Sequence, residues 1–394
     1  MNRPRKKIFV VAPTESVLTK RGNRHPALAL FLATYGYELE YVSSDFYHAE
    51  KRHFSAEEIS RAKLDVPYSL VILHCLGYTK NISSRRVVSN ILFSAKVFFY
   101  LWSRLNRKAI LLLPSRPVEM IFAAAMLRLT RGTSVALDIQ DIWPDMLIVK
   151  NRLKKLAFTI YCNMYLYSSL RSIDKFFHVA PSFVEWLHRY APKARSIFIP
   201  LGFDEERWPI VASKQHASAK TPSRISLVCV AQLTFQFDVL PIVKAILNNE
   251  LFMLTIIGED GKSERYPEVI NFIKEKAMKN VRIIGHVDRM VLVDHLVSAD
   301  IGIVPMISTS LPNKVFDYIA SNLPILALGQ NDISDFVRQY DIGWCTSFDH
   351  KEIRSLLRTL TRGQILEKRK NVQKIRPNFS RDRLHQQLLK LIES

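Results

Sequence analysis

Cysteine is scarce in this chain and scattered: four in 394 residues, at positions 75, 162, 229 and 345, with no CxxC pair. That spacing excludes a cysteine zinc site and a disulfide framework, and it fits a reducing compartment. Glycine is thin as well, at 12 residues, and no low-complexity tract or repeat of solenoid or propeller period occurs. No run of about 18 apolar residues is present, so no membrane-spanning helix is expected. The start, M-N-R-P-R-K-K-I-F-V-V-A-P, moves from basic residues straight into a short apolar run, so no signal peptide is expected. There is no GxGxxG to mark a dinucleotide site and no DxD to mark a metal-bound diphosphate.

Acidic residues are also in short supply, 36 against 56 Lys and Arg, for a net charge of +20. The imbalance is uneven. Residues 1–200 hold 30 Lys and Arg against 14 Asp and Glu, or +16, which leaves +4 for the rest. One half of the chain therefore suits a polyanion: an anionic membrane, a phosphate-bearing substrate or nucleic acid. Nucleic acid is not expected, because no aromatic platform or reading helix accompanies the charge.

What is present in quantity is apolar sequence, 48% of the residues, enough for two cores of ordinary size. Apolar runs of strand length sit at 8–13, 38–43, 70–76, 109–114, 134–141, 175–179 and 197–200, with helical spacing at 26–35, 85–108, 121–129, 150–171 and 182–190. After a polar, aperiodic stretch a second alternation begins: strands at 225–230, 252–257, 281–284, 301–304 and 325–328, helices at 239–248, 266–278, 291–298, 351–360 and 381–392. Alternating strands and helices predict two parallel, doubly wound sheets. The expected division is 1–205 as one domain, 206–224 as linker and 225–376 as the other, with 377–394 packing back on the first.

The second half is organised around residues 310–328, S-L-P-N-K-V-F-D-Y-I-A-S-N-L-P-I-L-A-L. Ser310 can cap, Pro312 suits the first turn, Val315, Phe316, Ile319 and Ala320 form a buried helical face, and Asn322 tolerates the left-handed end. Lys314 at a helix start suits a phosphate, and Asp317 one turn on suits sugar hydroxyls. A solvated i,i+3 ion pair fits the same two residues.

In the first half, 134–145 reads S-V-A-L-D-I-Q-D-I-W-P-D. Asp138, Asp141 and Asp145 fall at the carboxyl end of a strand, where open α/β sheets bind ligands. A carboxylate there could accept a hydroxyl proton, cap the next helix, or join a metal cluster. Gly22, Asn23, Arg24 and His25 precede a helix start, where anions bind; a solvated basic loop reads the same way. The segments 85–108 and 150–171 are basic, aromatic and amphipathic. That pattern fits an anionic membrane interface and equally a core helix with basic ends.

The stretch at 310–324 resembles the nucleotide-sugar site of GT-B glycosyltransferases, family 4 in particular, whose pattern is roughly S-L-P-x-K-x-x-E-Y-x-A-x-G-x-P. Residues 138–145 resemble the same family's D-x-W-P segment, and P-L-G-F-D at 200–204 its P-N-G-V-D tail. The resemblance implies a GT-B fold, two Rossmann-like domains facing a cleft. It implies that Ser310, Leu311, Asn313 and Lys314 meet the donor's diphosphate, with Asp317 at the ribose and Thr309 eight residues before it. Gly258, Glu259 and His286 would border the nucleotide base. Asp141, with Gln140 beside it, would be the carboxylate at the reacting carbon, and residues 22–25 the acceptor-side loop. A transferase of this type needs no cofactor and is expected to work without metal.

The chain departs from the family pattern where the family carries G-R-L…K-G. Here it has Gln232 and Gln236, which cannot neutralise a leaving pyrophosphate. Asp317 stands for Glu, Asn322 for Gly, Leu201 for Asn, and Thr309 breaks the family's acidic pair. Family 4 retains configuration, whereas other GT-B enzymes with a Lys in this loop invert. The expected function is transfer of a sugar from a nucleotide-sugar to a hydroxyl of a lipid-linked or surface-polysaccharide acceptor, at the cytoplasmic membrane face with peripheral attachment. The alternative is a catalytically degenerate GT-B protein that serves as partner or glycan-binding subunit of another transferase.

Overall fold

The structure is a computed structural model that describes residues 6–19, 23–146, 151–208 and 224–393. By its contacts the chain divides into unit 1, Met1–Ile199 with His385–Ser394, and unit 2, Pro200–Leu384. Of the expected linker, residues 209–223 lie outside the described residues, as do Gly22 and Lys150.

Unit 1 carries strands β1 (Ile8–Val11), β2 (Leu39–Ser44), β3 (Phe46–Tyr47), β4 (Arg52–His53), β5 (Ser69–Leu73), β6 (Ile110–Pro114), β7 (Ser134–Ile139), β8 (Lys175–His178) and β9 (Ser196–Phe198). Seven of them form a parallel sheet in the order β5-β2-β1-β6-β7-β8-β9. The central strands I-F-V-V and I-L-L-L-P are buried along their whole length, as expected for strands covered on both faces. The strand order reverses between β1 and β6, so their carboxyl ends are the place where such a sheet opens a crevice. Helix Val118–Arg131 packs between helices Ser84–Trp102 and Arg152–Ser169.

Unit 2 carries β10 (Ile225–Val230), β11 (Phe252–Ile257), β12 (Val281–Ile284), β13 (Ile301–Val304), β14 (Ile325–Leu328) and β15 (Gly343–Thr346), parallel in the order β12-β11-β10-β13-β14-β15. Its reversal lies between β10 and β13. Leu227, Cys229, Leu254, Ile256, Ile301 and Ile303 are fully buried at its centre.

Several elements carry no expectation above. Helix Ala56–Leu64 is fixed by a capping box between Ser55 and Glu58, but buries only Ala62, so it lacks an apolar period. Strand β15 is G-W-C-T, half-buried throughout, and is too short and mixed to read as a strand. Helix Arg362–Ile375 buries three residues among many charges. Several expected helices are shorter than their sequence patterns: 85–108 closes at Trp102, 150–171 begins at Arg152 and gives way to a tight turn at Leu170–Ser172, 239–248 is helical over Leu240–Ala245, and 266–278 closes at Glu275.

Candidate functional site

In unit 2 the helix Asn313–Ala320 begins one loop after β13. Tyr318 pins it. Its hydroxyl accepts a hydrogen bond from Val230 N (3.0 Å) and donates one to Ile303 O (3.2 Å), tying the helix to β10 and β13. The ring lies over Gly302, where a Cβ would come within 2.5 Å of it. This places Lys314, one turn earlier, at the sheet's reversal point. Pro312 caps the helix with no side-chain hydrogen bond, and Val315 N bonds to Pro312 O at 3.0 Å, so the first-turn amides that face an acceptor are those of Asn313 and Lys314. Asn322 closes the helix at φ 55°.

The Lys314 Nζ lies 3.5 Å from the centre of the Phe237 ring. Burial lowers its pKa to about 8, against the pull of Cys229 and Asp317. Asp317 does not pair with it: its carboxylate meets Arg289 Nη2 at 3.1 Å. Burial raises the Asp317 pKa, and Arg289 opposes that rise. The Arg289 guanidinium in turn lies 4.5 Å over the Trp208 ring. Phe237, Arg289 and Trp208 were not legible as site residues. The charge at Arg289 could have been sought because the glutamines leave a deficit, but nothing in its local sequence marks it.

The loop with the two glutamines is held on the same reversal point. Ile307 N donates to Gln236 O (2.9 Å) and Asp238 N to Pro305 O (2.9 Å). Gln232 approaches His286 at 3.5 Å. The Glu259 carboxylate is turned inward and accepts from Leu233 N and Gly261 N, both at 2.7 Å, and from Ser263 N. It joins the two loops after β10 and β11, while Gly258 beside it adopts φ 100°. Leu311 is buried, whereas Thr309 and Asn313 are exposed.

In unit 1 the acidic residues of 138–145 separate. Asp138 is fully buried and meets Arg24 Nε at 2.6 Å and His25 Nε2 at 3.3 Å. His25, also fully buried, meets Glu15 at 2.8 Å through Nδ1. Gln140 Nε2 donates to Asp138 Oδ2 at 2.8 Å, and Arg24 also donates to Ile199 O. Arg24 and His25 thus point into the unit, with carboxylates answering their charge. Burial works against the imidazolium, but Glu15 and Asp138 outweigh it and hold the His25 pKa at about 9. Burial likewise works against the Asp138 carboxylate, and Arg24 and His25 still bring its pKa down to about 2.

Asp145 pairs with Arg189 at 2.9 Å, and Asp141 with Arg116 Nε at 2.7 Å. Burial raises the Asp141 pKa, with Arg116 and Arg86 opposing. The Ser115 hydroxyl accepts from both Gln140 N and Asp141 N and donates to Asp141 O, so the loop after β7 is fastened to the loop after β6. Beside it opens a pocket at the β1/β6 reversal, with Arg86, Arg116 and His48 among walls that include Phe46, Tyr78 and Trp143. The Arg86 guanidinium lies 5.0 Å from the Trp143 ring, and its buried Nε has no hydrogen-bond partner. No pattern in the sequence joins Arg86 to Arg116, which lie 30 residues apart on different elements.

The comparisons with known proteins follow this division. Residues 226–362, which run from β10 into helix Arg362–Ile375, match the family model described as Glycosyl transferases group 1. No curated protein is similar to the chain in sequence. Among solved structures, Anabaena HepE in complex with UDP superposes with a TM-score of 0.70 at 11% identity, over 98% of this chain and 99% of that one. The same protein with UDP-glucose gives a TM-score of 0.66, at 11% identity over 98% and 99%. Sucrose-phosphate synthase of Thermosynechococcus elongatus gives 0.69 at 12% identity over 98% of each chain. The N-terminal domain of Candida albicans trehalose-6-phosphate phosphatase gives 0.72 at 11% identity over 98% and 96%. The two parallel-sheet α/β units of this chain form a GT-B fold.

Proposed function

We propose that the chain is a nucleotide-sugar-dependent glycosyltransferase of family-4 type, with the donor held by unit 2 and the acceptor by unit 1. The observation that carries this is the seat of Lys314: at the start of a helix pinned to the sheet's reversal point, inside the stretch that matches the group 1 family. Diphosphate at the open amides and Lys314 accounts for that arrangement, and HepE, which shares the fold, binds UDP. Arg289 adds a second cation 3.1 Å from Asp317 and supplies charge that Gln232 and Gln236 lack. Lysine and arginine together make a metal unnecessary for the leaving group.

In the transfer, the bond from the anomeric carbon to the diphosphate oxygen breaks and one to the acceptor hydroxyl oxygen forms. The nucleoside diphosphate leaves with the electron pair. On the retaining course that we favour, the hydroxyl proton passes to the departing diphosphate and Asp141 offsets positive charge on the sugar. On an inverting course Asp141 takes the proton itself, a role its raised pKa suits. Arg86 and Arg116 among aromatic walls suit an acceptor with an acidic group on an apolar body, such as a lipid-linked phosphate.

Such an acceptor places the enzyme at the cytoplasmic membrane face as a peripheral protein. Among the described residues no helix is long and apolar enough to cross a membrane. Helix Arg152–Ser169 exposes Leu153, Leu156, Ile160, Met164 and Tyr167, and Ser84–Trp102 exposes Val88, Leu92, Phe99 and Trp102. Basic residues flank both helices, and each Lys or Arg near an anionic surface contributes about 1 kcal/mol. The protein is expected to float with phosphatidylglycerol-containing liposomes at low salt and to be released at high salt. The double variant Leu156→Glu, Ile160→Glu should stay in solution with an unchanged unfolding temperature. Failure of the wild type to float at low salt overturns the membrane assignment.

A second reading, a non-catalytic GT-B partner of another transferase, is favoured by one observation: Asp317 is already engaged by Arg289. Calorimetric titration with UDP, GDP and their sugar forms separates the two. Micromolar binding of one nucleotide supports the enzyme. Binding of none, with a transferase co-purifying, supports the partner.

A further inference from the structure

Three side chains with metal-ligand chemistry meet in unit 1, apart from the residues discussed so far. Asp45 follows β2, His53 lies on β4 and His74 follows β5. The backbone fixes all three. Asp45 N donates to Leu73 O at 3.1 Å and Phe54 N to Asp45 O at 2.8 Å. Cys75 N donates to Asp45 Oδ1 at 2.9 Å and orients the carboxylate. The His53 Nδ1 lies 3.2 Å from Oδ1 and the His74 Nδ1 2.7 Å from Oδ2. The two rings stack, with centres 5.3 Å apart and planes at 22°. One ligand atom from each residue lies within 4.8 Å of the other two.

We propose that Asp45, His53 and His74 bind one divalent transition-metal ion of the zinc class. A hydrogen-bonded His–Asp pair needs one imidazole. Here a single carboxylate gathers two imidazoles through the same ring nitrogen, and a backbone amide holds it from behind. Two imidazoles and one carboxylate suit zinc, cobalt, nickel or copper, whereas magnesium and calcium require mainly oxygen ligands.

Metal–ligand distances of about 2.0–2.1 Å in a tetrahedron separate the ligand atoms by about 3.3 Å. The His53–Asp45 spacing meets this as it stands. His74 Nδ1, now at 2.7 Å, has to withdraw by about 0.6 Å, and its side chain, 68% exposed, is free to do so. Gly77, at φ 68°, leaves room beside the other ring: a Cβ there would lie 2.9 Å from the His53 Nε2. On binding, the ion takes the Nδ1 lone pair of each neutral ring, and each ring carries its proton on Nε2 instead. Three protein ligands leave the fourth position facing solvent, for water or a donor atom brought by another molecule. The site owes nothing to the donor and acceptor assignments above and stands or falls separately from them.

The test is calorimetric titration of untagged, chelator-stripped full-length protein with Zn²⁺, repeated with Co²⁺ while its visible absorption is recorded. The expected result is one ion per chain, with affinity at least tenfold weaker in His74→Ala and in His53→Ala, and cobalt bands that both substitutions abolish. Both histidines are partly exposed, so the variants should keep the wild-type unfolding temperature in chelator, which separates lost binding from lost folding. Absence of one-to-one binding, or an affinity unmoved by either substitution, overturns the site.

Discussion

Lys314→Ala is expected to weaken nucleoside diphosphate binding by roughly a hundredfold, about 3 kcal/mol. Truncating one partner of a buried charge pair typically costs that much. The cause is specific. Lys314 is the cation that the helix Asn313–Ala320 carries to its own open end, and burial against Phe237 has already removed much of its hydration. Less water must therefore be displaced when a phosphate arrives. The same burial leaves the free protein's ammonium with a pKa of about 8, so affinity should fall as pH rises above 8. Lys314→Arg should keep the alkaline affinity that wild type loses. Calorimetry with UDP and GDP between pH 6.5 and 9.5 reads both effects.

A fold defect can be told apart from a lost contact. An ammonium with a depressed pKa is held at a cost in the native state, so the unfolded chain binds the extra proton between pH 8 and 10.5 and stability rises across that range. Removing the group removes the cost. Lys314→Ala should therefore unfold no earlier than wild type while it loses its ligand. An unchanged nucleotide affinity in this variant would remove Lys314 from the donor site.

The second large effect concerns the buried charges of unit 1. Asp138→Asn should destabilise the protein by about 3–5 kcal/mol, because it strands Arg24 and His25 in the interior without their carboxylate. The pH dependence follows from the two shifts. The His25 pKa is raised from 6.5 to about 9, so its contribution is complete below 6.5 and is lost as pH rises through 9. The Asp138 pKa is lowered from 3.8 to about 2, so its contribution is complete above 3.8 and is lost as pH falls toward 2. The contribution of this buried pair should be complete between about pH 4 and 6.5, then decline by roughly 3 kcal/mol toward pH 9. Urea unfolding across that range measures the decline, and His25→Gln should flatten it. A flat wild-type profile from pH 6.5 to 9 would show that His25 does not carry its proton in the fold.

These two sites were legible to different degrees. Strands such as 225–230, 252–257 and 281–284 coincide with the structure because a short buried apolar run has few alternatives. Lys314 and Asp317 could be found because a loop, helix and strand signal surrounds them. The partners of Asp317 could not, since Arg289 reaches it from another helix 28 residues earlier. Grouping Asp138, Asp141 and Asp145 followed from their nearness in sequence. The fold gives each a different basic partner, Arg24, Arg116 and Arg189, drawn from elements far apart in the chain. Arg24 and His25 read as a basic loop because the carboxylates that turn them inward, Glu15 and Asp138, lie 10 and more than 100 residues away. Strand β15 and helix Arg362–Ile375 were missed because their identity depends on what they pack against.

The stack of Arg289 on Trp208 gives the protein an optical reporter. The indole is buried, and its excited state is sensitive to a guanidinium 4.5 Å from its ring. A ribose that takes up the Asp317 carboxylate releases Arg289 from its ion pair and changes the field across the ring. Nucleotide binding should therefore alter the tryptophan emission. Trp208→Phe, which leaves the other four of the chain's five tryptophans in place, should abolish that change while binding persists by calorimetry.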